Sequence, residues 1–362
     1  MSRTIMIMAG GTGGHIYPAI SVAEYLREKG WTIVWLGSKA GMEARIVPPH
    51  GYVMAWIRFS GLRGKGLLRA AMLPFNLLIA CWQSARAIFM YRPDVVLGMG
   101  GYVAFPGGMM ASLLKRPLVI HEQNSVAGLS NRVLARLADK VLVAFPHAFK
   151  NMFKNNNLFS CVGNPVRADI GAIAAPQVRY STREQRLQVL VLGGSQGASI
   201  LNTTLPDAME LIPEMDRPAV THQSGALHID ALRAAYAAAN VQAETWPFLD
   251  DMAARYAHTD LVICRAGAST IAEIAAVGVA SVLVPLPSAV DDHQTHNARF
   301  LSERGAAVLI PQAEFTPEKL AHLLQGLARD KLLTMAQAAR EVAKPDATQA
   351  VAQVCMELAH AA

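Results

Sequence analysis

Cysteine is scarce in this chain, and the four that occur, Cys81, Cys161, Cys264 and Cys355, lie far apart and form no CxxC pair. That spacing excludes a disulfide framework and a paired-cysteine zinc site, and it fits a reducing cytosol. Charged residues are few at 17%, while 52% of the chain is hydrophobic, a balance that excludes intrinsic disorder. Long apolar runs are missing as well. The most apolar stretch, Ala70 to Trp82, is broken by Pro74 and Asn76 and falls short of the ~20 residues needed to cross a bilayer. The opening MSRTIMIMAGG has one Arg and a short apolar run leading straight into glycines, without a small-residue cleavage site, so it reads as a first strand.

What is present is glycine, 27 residues of it, and a positive balance of +6. With a pI of about 9.2, the chain favours an anionic partner: nucleic acid, phospholipid headgroups or a phosphorylated substrate. Charge alone does not choose among them. A length of 362 residues predicts two domains.

Short apolar strands alternate with helical patterns throughout. Ile5 to Met8 runs into GGTGGH, after which Ile20, Val22, Ala23 and Leu26 mark a helix over Pro18 to Lys29. Further strands are predicted at Thr32 to Leu36, Asp94 to Leu97 before GMGGY, Leu118 to Ile120 before HEQN, and Val141 to Ala144. The grammar restarts at Gln188 to Leu192 with QVLVLGGSQGA, a duplication of the first unit, and continues at Ala219 to His222, Leu261 to Cys264, Ser281 to Val284 and Ala307 to Ile310. Such runs predict an α/β protein with parallel sheets covered on both faces. The boundary is placed near Pro165: residues 1–164 form an N-terminal domain, 165–186 a linker without periodicity, and 187–345 a C-terminal domain. Residues 346–362 form a last helix able to pack back on the first domain.

Glycine loops between a strand and a helix bring backbone N–H groups to a phosphate, or they exist for close packing alone; both readings stand for both loops. An NAD-type site needs an acidic residue after the second strand, where this chain has Ser38 in WLGSK and no acid in THQSG. Neither loop has the GxxxxGK[ST] form of a P-loop ATPase. His15, closing the first loop, is a candidate general base or a helix-start histidine bonding its own turn. HEQN, from His121 to Asn124, sets four polar side chains just past a buried strand, where open α/β sheets hold ligands. In CRAGASTIAE, Glu273 either completes a capping box with Ser269 or Thr270 or accepts both hydroxyls of a ribose whose phosphates sit on the helix start. DDHQTHNA places Asp292, His293 and His296 close together, but without ordered ligand spacing, so sugar hydrogen bonding is preferred to a metal.

GGTGGH, FSGLRGKG at Phe59 to Gly66, GMGGY, HEQN, GNPVR, GGSQGA, CRAGASTIAE and DDHQTHNA occur in an order and spacing that resembles the MurG family of glycosyltransferases along nearly the whole chain. The resemblance implies a GT-B architecture, two Rossmann-like doubly wound parallel-sheet domains facing across a cleft. It implies inverting transfer of N-acetylglucosamine from UDP-N-acetylglucosamine to the 4-hydroxyl of the muramoyl sugar of lipid I, giving lipid II for peptidoglycan. On the donor it implies Thr12, Gly13, Gly14, Asn124 and Arg167 from the first domain. From the second it implies Ser195 and Gln196 at the diphosphate, Leu249 at the uracil through backbone, and Ala268, Ser269, Thr270, Ile271 and Ala272 at the phosphates. Glu273 would hold the ribose and Gln294 the sugar. Leu249 stands where the best-known member of the family has isoleucine, a small change for a backbone contact.

The resemblance places the acceptor's lipid diphosphate at Gly10, Gly11, Gly100, Gly101 and Tyr102, makes His15 the base with Glu122 as the alternative, and calls for no obligatory metal or cofactor. Its partners are the undecaprenyl-diphosphate-linked muramoyl-pentapeptide, an anionic membrane surface and cell-wall assembly proteins, with no nucleic acid. The place is the cytoplasmic face of the bacterial inner membrane, peripherally. From residues 62–92, the basic Arg63, Lys65 and Arg69 and the apolar Leu73, Phe75, Leu77, Leu78, Ile79 and Trp82 form either a membrane-docking face or an ordinary buried helix. Three other readings remain: a GT-B transferase for another lipid or small-molecule acceptor, a UDP-N-acetylglucosamine 2-epimerase, and a nucleotide-binding scaffold without catalysis.

Overall fold

Apolar runs of four or five residues are too short for buried helices, and in the computed structural model they form the inner strands of two parallel sheets. The structure describes residues 3–59, 72–149, 158–181, 183, 186–194 and 197–361. The chain folds as two compact units, one running up to Arg167 and completed by the segment from Lys344 onward, the other running from Ala168 to Ala343.

The sheet of the first unit comprises β1 (Thr4–Met8), β2 (Thr32–Ser38), β3 (Val53–Ile57), β4 (Val95–Gly98), β5 (Leu118–Glu122), β6 (Lys140–Val143) and β7 (Phe159–Cys161), in the order β3-β2-β1-β4-β5-β6-β7. That of the second comprises β8 (Gln188–Leu192), β9 (Ala219–Gln223), β10 (Glu244–Trp246), β11 (Leu261–Cys264), β12 (Ala280–Leu283) and β13 (Ala307–Leu309), in the order β10-β9-β8-β11-β12-β13. The second order repeats the first through six strands, so the duplication heard in the two glycine loops extends to topology. In each sheet the strand order reverses beside the loop-bearing strand, β1 or β8, which is where open α/β sheets bind ligands.

Successive residues of β1 serve opposite faces, as a strand period of two requires. Ile5 and Ile7 pack with Ile16, Ile20 and Val351, while Met6 and Met8 pack with Ile88, Val103 and Ala104. A recurring polar device starts the strands. Asp94, Asp139 and Asp260 each precede a strand, and each accepts the first N–H of the neighbouring one, from Thr4 (2.7 Å), Leu118 (2.7 Å) and Gln188 (2.8 Å).

Three strands escape the sequence pattern, and all are edges: β3 (VMAWI), β7 (FSC) and β10 (ETW). The expected linker over 165–186 also requires correction. From Ala168 it belongs to the second unit and holds the helices Ala168–Gly171 and Pro176–Ser181. Its anchor is polar, which is why no apolar period marked it: the buried Arg179 donates to the carbonyls of Ala174 (3.0 Å), Val277 (3.0 Å), Tyr256 (3.3 Å) and Gly278. The helix Ala347–Ala361 packs on the helix Gly13–Glu28 within the first unit, and residues 344–345 go with it instead of with the second domain.

Two histidines are buried neutral, one in each unit. His121 donates from Nε2 to the Gly163 carbonyl at 2.9 Å, and burial lowers its pKa to about 4. His222 lies between the Tyr236 hydroxyl (3.0 Å) and Asn202 Oδ1 (3.1 Å), and burial lowers it to about 3. Both folded values lie below the unfolded 6.5, so the unfolded chain binds protons that the folded chain refuses. Stability is therefore full above about pH 6.5 and falls as pH drops towards these lower values. Urea unfolding should show a loss of about 1 kcal/mol per histidine between pH 6.5 and 5.5, and His222→Gln should flatten that dependence in the second unit. A pH-independent midpoint in that window would contradict the neutral burial.

Candidate active site

The loop after β1 is built by close backbone contact. A Cβ on Gly101 would stand 2.1 Å from the Gly10 carbonyl oxygen, and one on Gly100 would stand 2.8 Å from the His15 ring. Both residues have positive φ, +82° and +96°, a second reason for glycine there. GMGGY thus lies directly on GGTGGH. Thr12 is the N-cap of Gly13–Glu28 with extended backbone, and its carbonyl takes the N–H groups of His15 (3.1 Å) and Ile16 (3.2 Å). His15 Nδ1 lies 3.2 Å from both Thr12 Oγ1 and the Gly10 carbonyl, and Tyr17 lies against Gly13. The general-base candidate is therefore held at the head of the sheet.

Beneath this loop is a residue the sequence did not single out. Glu43, fully buried, accepts from Gly11 N (3.0 Å) and Ser38 N (2.9 Å). Burial, with Glu43 as its charged neighbour, raises the Tyr102 pKa. Gly10, Gly37 and Gly41 are cut away around Glu43, since a Cβ on any of them would lie 2.9 Å or less from it. The expectation that Gly11 offers its amide to an acceptor diphosphate needs correction, because that N–H is committed to Glu43. Gly10, Gly100 and Gly101 serve the close packing of two loops.

HEQN is organised from inside. Glu122 is 2% exposed. Its Oε1 accepts from Asn124 N (2.9 Å) and Asn124 Nδ2 (3.3 Å), and its Oε2 accepts from Gly128 N (3.1 Å) and Asn131 Nδ2 (2.9 Å). Four N–H donors on two oxygens make it the anchor of the loop, which removes the geometric case for Glu122 as the alternative base. Gln123 is buried and donates to the Met99 carbonyl at 2.7 Å, tying HEQN to the GMGGY strand end. Arg167 closes the first unit, just past GNPVR.

In the second unit, Ser195 and Gln196 lie outside the described residues. Gly197 has φ +80°, and a Cβ there would lie 2.1 Å from the Ser224 carbonyl. Gln223, also missed in the sequence, bridges two loops: its Nε2 donates to Gly194 O (3.1 Å) and its Oε1 accepts from Leu249 N (3.0 Å). The Leu249 amide is thus used within the protein.

The helix Ala268–Val277 starts from Gly267, so Glu273 stands six residues in and cannot close a capping box. Instead Glu273 Oε2 accepts from the Tyr256 hydroxyl at 3.1 Å. Ala268, Ser269 and Thr270 occupy the first turn, whose N–H groups have no helical carbonyl behind them, while Ile271 N already bonds Gly267 O (2.9 Å). Ala272 follows one residue further in. Gln294 Oε1 accepts from Ala266 N (3.2 Å) and Leu286 N (3.0 Å), so its amide nitrogen is the end that can meet a sugar hydroxyl. Among the described residues no three His, Cys, Asp or Glu side chains converge in a way that could hold a metal ion.

Comparison with known proteins agrees in both units. Residues 5–143 match the glycosyltransferase family 28 N-terminal domain and residues 188–352 its C-terminal domain. A protein of Aromatoleum aromaticum is 61% identical over 357 residues, with 99% of this chain and 98% of that protein aligned. One of Dechloromonas aromatica is 58% identical over 359 residues, covering 99% and 100%. Both are named UDP-N-acetylglucosamine--N-acetylmuramyl-(pentapeptide) pyrophosphoryl-undecaprenol N-acetylglucosamine transferase. The crystal structure of Acinetobacter baumannii MurG superposes with a TM-score of 0.82 at 40% identity, over 98% of this chain and 99% of that one. Matched at this identity along almost its full length, the chain has the GT-B fold and belongs to the MurG family of glycosyltransferases.

Proposed function

We infer that the protein transfers N-acetylglucosamine from UDP-N-acetylglucosamine to the undecaprenyl-diphosphate-linked muramoyl-pentapeptide, lipid I, and so forms lipid II for the cell wall. The observation that carries this is the 61% identity over nearly the whole chain to a transferase of that name. The second unit holds the donor. Glu273 takes the ribose hydroxyls, the first turn of Ala268–Val277 takes the phosphates, and Gln294 takes the sugar. The first unit supplies the base. An α-linked donor gives a β-linked product by one in-line displacement: His15 removes the acceptor proton, and helix-start amides stabilise charge on the departing UDP. UDP release from UDP-N-acetylglucosamine, with and without a lipid I analogue, tests the reading. Release that needs the acceptor supports it, whereas formation of the manno epimer from donor alone would replace it with the epimerase.

His15→Ala should lower turnover by about 10²- to 10⁴-fold while leaving UDP binding nearly unchanged. Near-normal turnover in that variant would remove His15 from the base role. Glu273→Ala should weaken UDP binding by about 10- to 100-fold, since hydrogen bonds to a charged group contribute about 1.5 to 3 kcal/mol. Unchanged affinity with only a lower Tm would reduce Glu273 to a packing partner of Tyr256.

The acceptor's lipid tail calls for an interface. Arg63, Lys65 and Arg69 lie outside the described residues, but the helix Leu73–Tyr91 supports the docking reading. Phe75 (61%), Leu78 (69%), Trp82 (64%) and Phe89 (65%) are exposed on it at helical spacing, a contiguous apolar stripe on the first unit. Leu73, Leu77 and Ile79 are partly buried. Among the described residues no helix is long and apolar enough to cross a membrane. The stripe enters the headgroup boundary of the cytoplasmic leaflet, with exposed Arg86 on the same helix available to anionic headgroups. Replacing Phe75, Leu78 and Trp82 by Ser should reduce co-sedimentation with anionic phospholipid vesicles by about tenfold or more. Transfer to a short-chain soluble acceptor should stay near normal. Unchanged sedimentation would dismiss this face as the docking surface.

A further inference from the structure

The peptide group between Gly10 and Gly11 is gripped at both ends. Its N–H donates to Glu43 Oε2 at 3.0 Å, and its C=O lies 3.2 Å from His15 Nδ1. A trans amide points these two groups in opposite directions, so carboxylate, peptide and imidazole form one line. A carbonyl oxygen only accepts, so the bond to Gly10 O calls for the hydrogen on Nδ1 and the lone pair on Nε2, with the Thr12 hydroxyl, also 3.2 Å from Nδ1, then an acceptor of the same hydrogen. Nε2 is also the ring nitrogen 3.0 Å from where a Gly100 Cβ would stand.

We propose that Glu43 is a positioning residue for the transfer reaction, acting on His15 through the Gly10–Gly11 peptide as a triad aspartate acts on its histidine directly. This rests on His15 being the base. In the step, the acceptor O–H bond breaks and its proton passes to His15 Nε2. The freed oxygen forms a bond to the anomeric carbon, and the bond from that carbon to UDP breaks with its electron pair leaving on UDP. No proton travels along the line to Glu43. The carboxylate polarises the peptide, making its oxygen a stronger acceptor, and that oxygen holds the ring, fixes its tautomer and stabilises the imidazolium that forms.

Loop support alone does not require a carboxyl group in this place, because burying one is costly unless its oxygens are answered. Glu43 is answered by Gly11 N and Ser38 N, inside a cradle of three glycines. Among the described residues, the ionisable groups facing this corner are Glu43 from the segment after β2, Tyr102 from the loop after β4, and Tyr17 on the histidine's own helix. His121 and Glu122, at the end of β5, direct their hydrogen bonds to Gly163 and to the HEQN loop.

The test is Glu43→Gln in wild-type and His15→Ala backgrounds, with the pH profile of kcat/KM and a 15N-histidine spectrum. The amide keeps the shape but turns an NH2 on one of the two backbone donors. Expected are a kcat lowered by about 10- to 100-fold, the cost typical of removing a residue that orients a functional histidine, and a donor KM within about twofold of wild type. The acid limb should move to lower pH, and no further loss should appear in His15→Ala. An unmoved acid limb, or an equal loss in both backgrounds, would overturn the relay while leaving His15 as base. Near-normal turnover in His15→Ala alone would overturn the base and the relay with it. Should Glu43→Gln fail to fold, the wild-type spectrum decides: His15 protonated at Nδ1 supports the line, and protonation at Nε2 alone overturns it.

Discussion

Backbone lies against backbone at the head of each sheet, and the rest of the site depends on that contact. In the first unit the obstacle to any side chain on Gly101 is the Gly10 carbonyl; in the second, the obstacle at Gly197 is the Ser224 carbonyl, at the same 2.1 Å. A side chain at either position would push a loop away from its neighbouring strand end. The turns that carry the candidate site residues would move with it, and an active site displaced by about 1 Å can lose a hundredfold in rate. The two units thus use a like steric solution between different strand pairs, β4 beside β1 at the switch point of the first sheet and β8 beside β9 in the second.

Around these contacts the polar side chains act chiefly on the protein itself. Glu122 spends both oxygens on HEQN, Gln223 ties Gly194 to Leu249, and Gln294 joins two loops through its oxygen. On the proposed reading, a ligand meets a carbonyl at Leu249, an amide nitrogen on Gln294 and the first turn of Ala268–Val277. Preorganisation of this kind means that the groups meeting the transition state are placed before substrate arrives, so reorganisation costs little during the reaction.

The inner strands and both glycine loops could be read from the sequence because burial on two faces enforces continuous apolar runs. The edges β3, β7 and β10 could not, since a strand paired on one side only tolerates residues as polar as Glu244 and Ser160. Glu43 was illegible for another reason. A glutamate in GSKAGMEARI reads as one more surface charge, and only the convergence of Gly10, Gly37 and Gly41 in space reveals its cradle. The capping-box reading of Glu273 failed by a short shift of helix start: Gly267, not Ser269 or Thr270, takes the N-cap place. The segment before β8 looked like a linker because Arg179 holds it through carbonyls, a bond with no apolar period to announce it.

The helix Ala347–Ala361 lies on Gly13–Glu28 and contributes Val351, Ala352 and Cys355 to the core beneath β1. Topologically, then, the second unit is an insertion within the first, entered after Arg167 and left at Lys344. On the ribosome the usual order is reversed: residues 168–343 can complete their own core while the first unit still waits for its last helix. The unit that carries the base candidate and the apolar stripe is finished only after the whole of the second unit has been made.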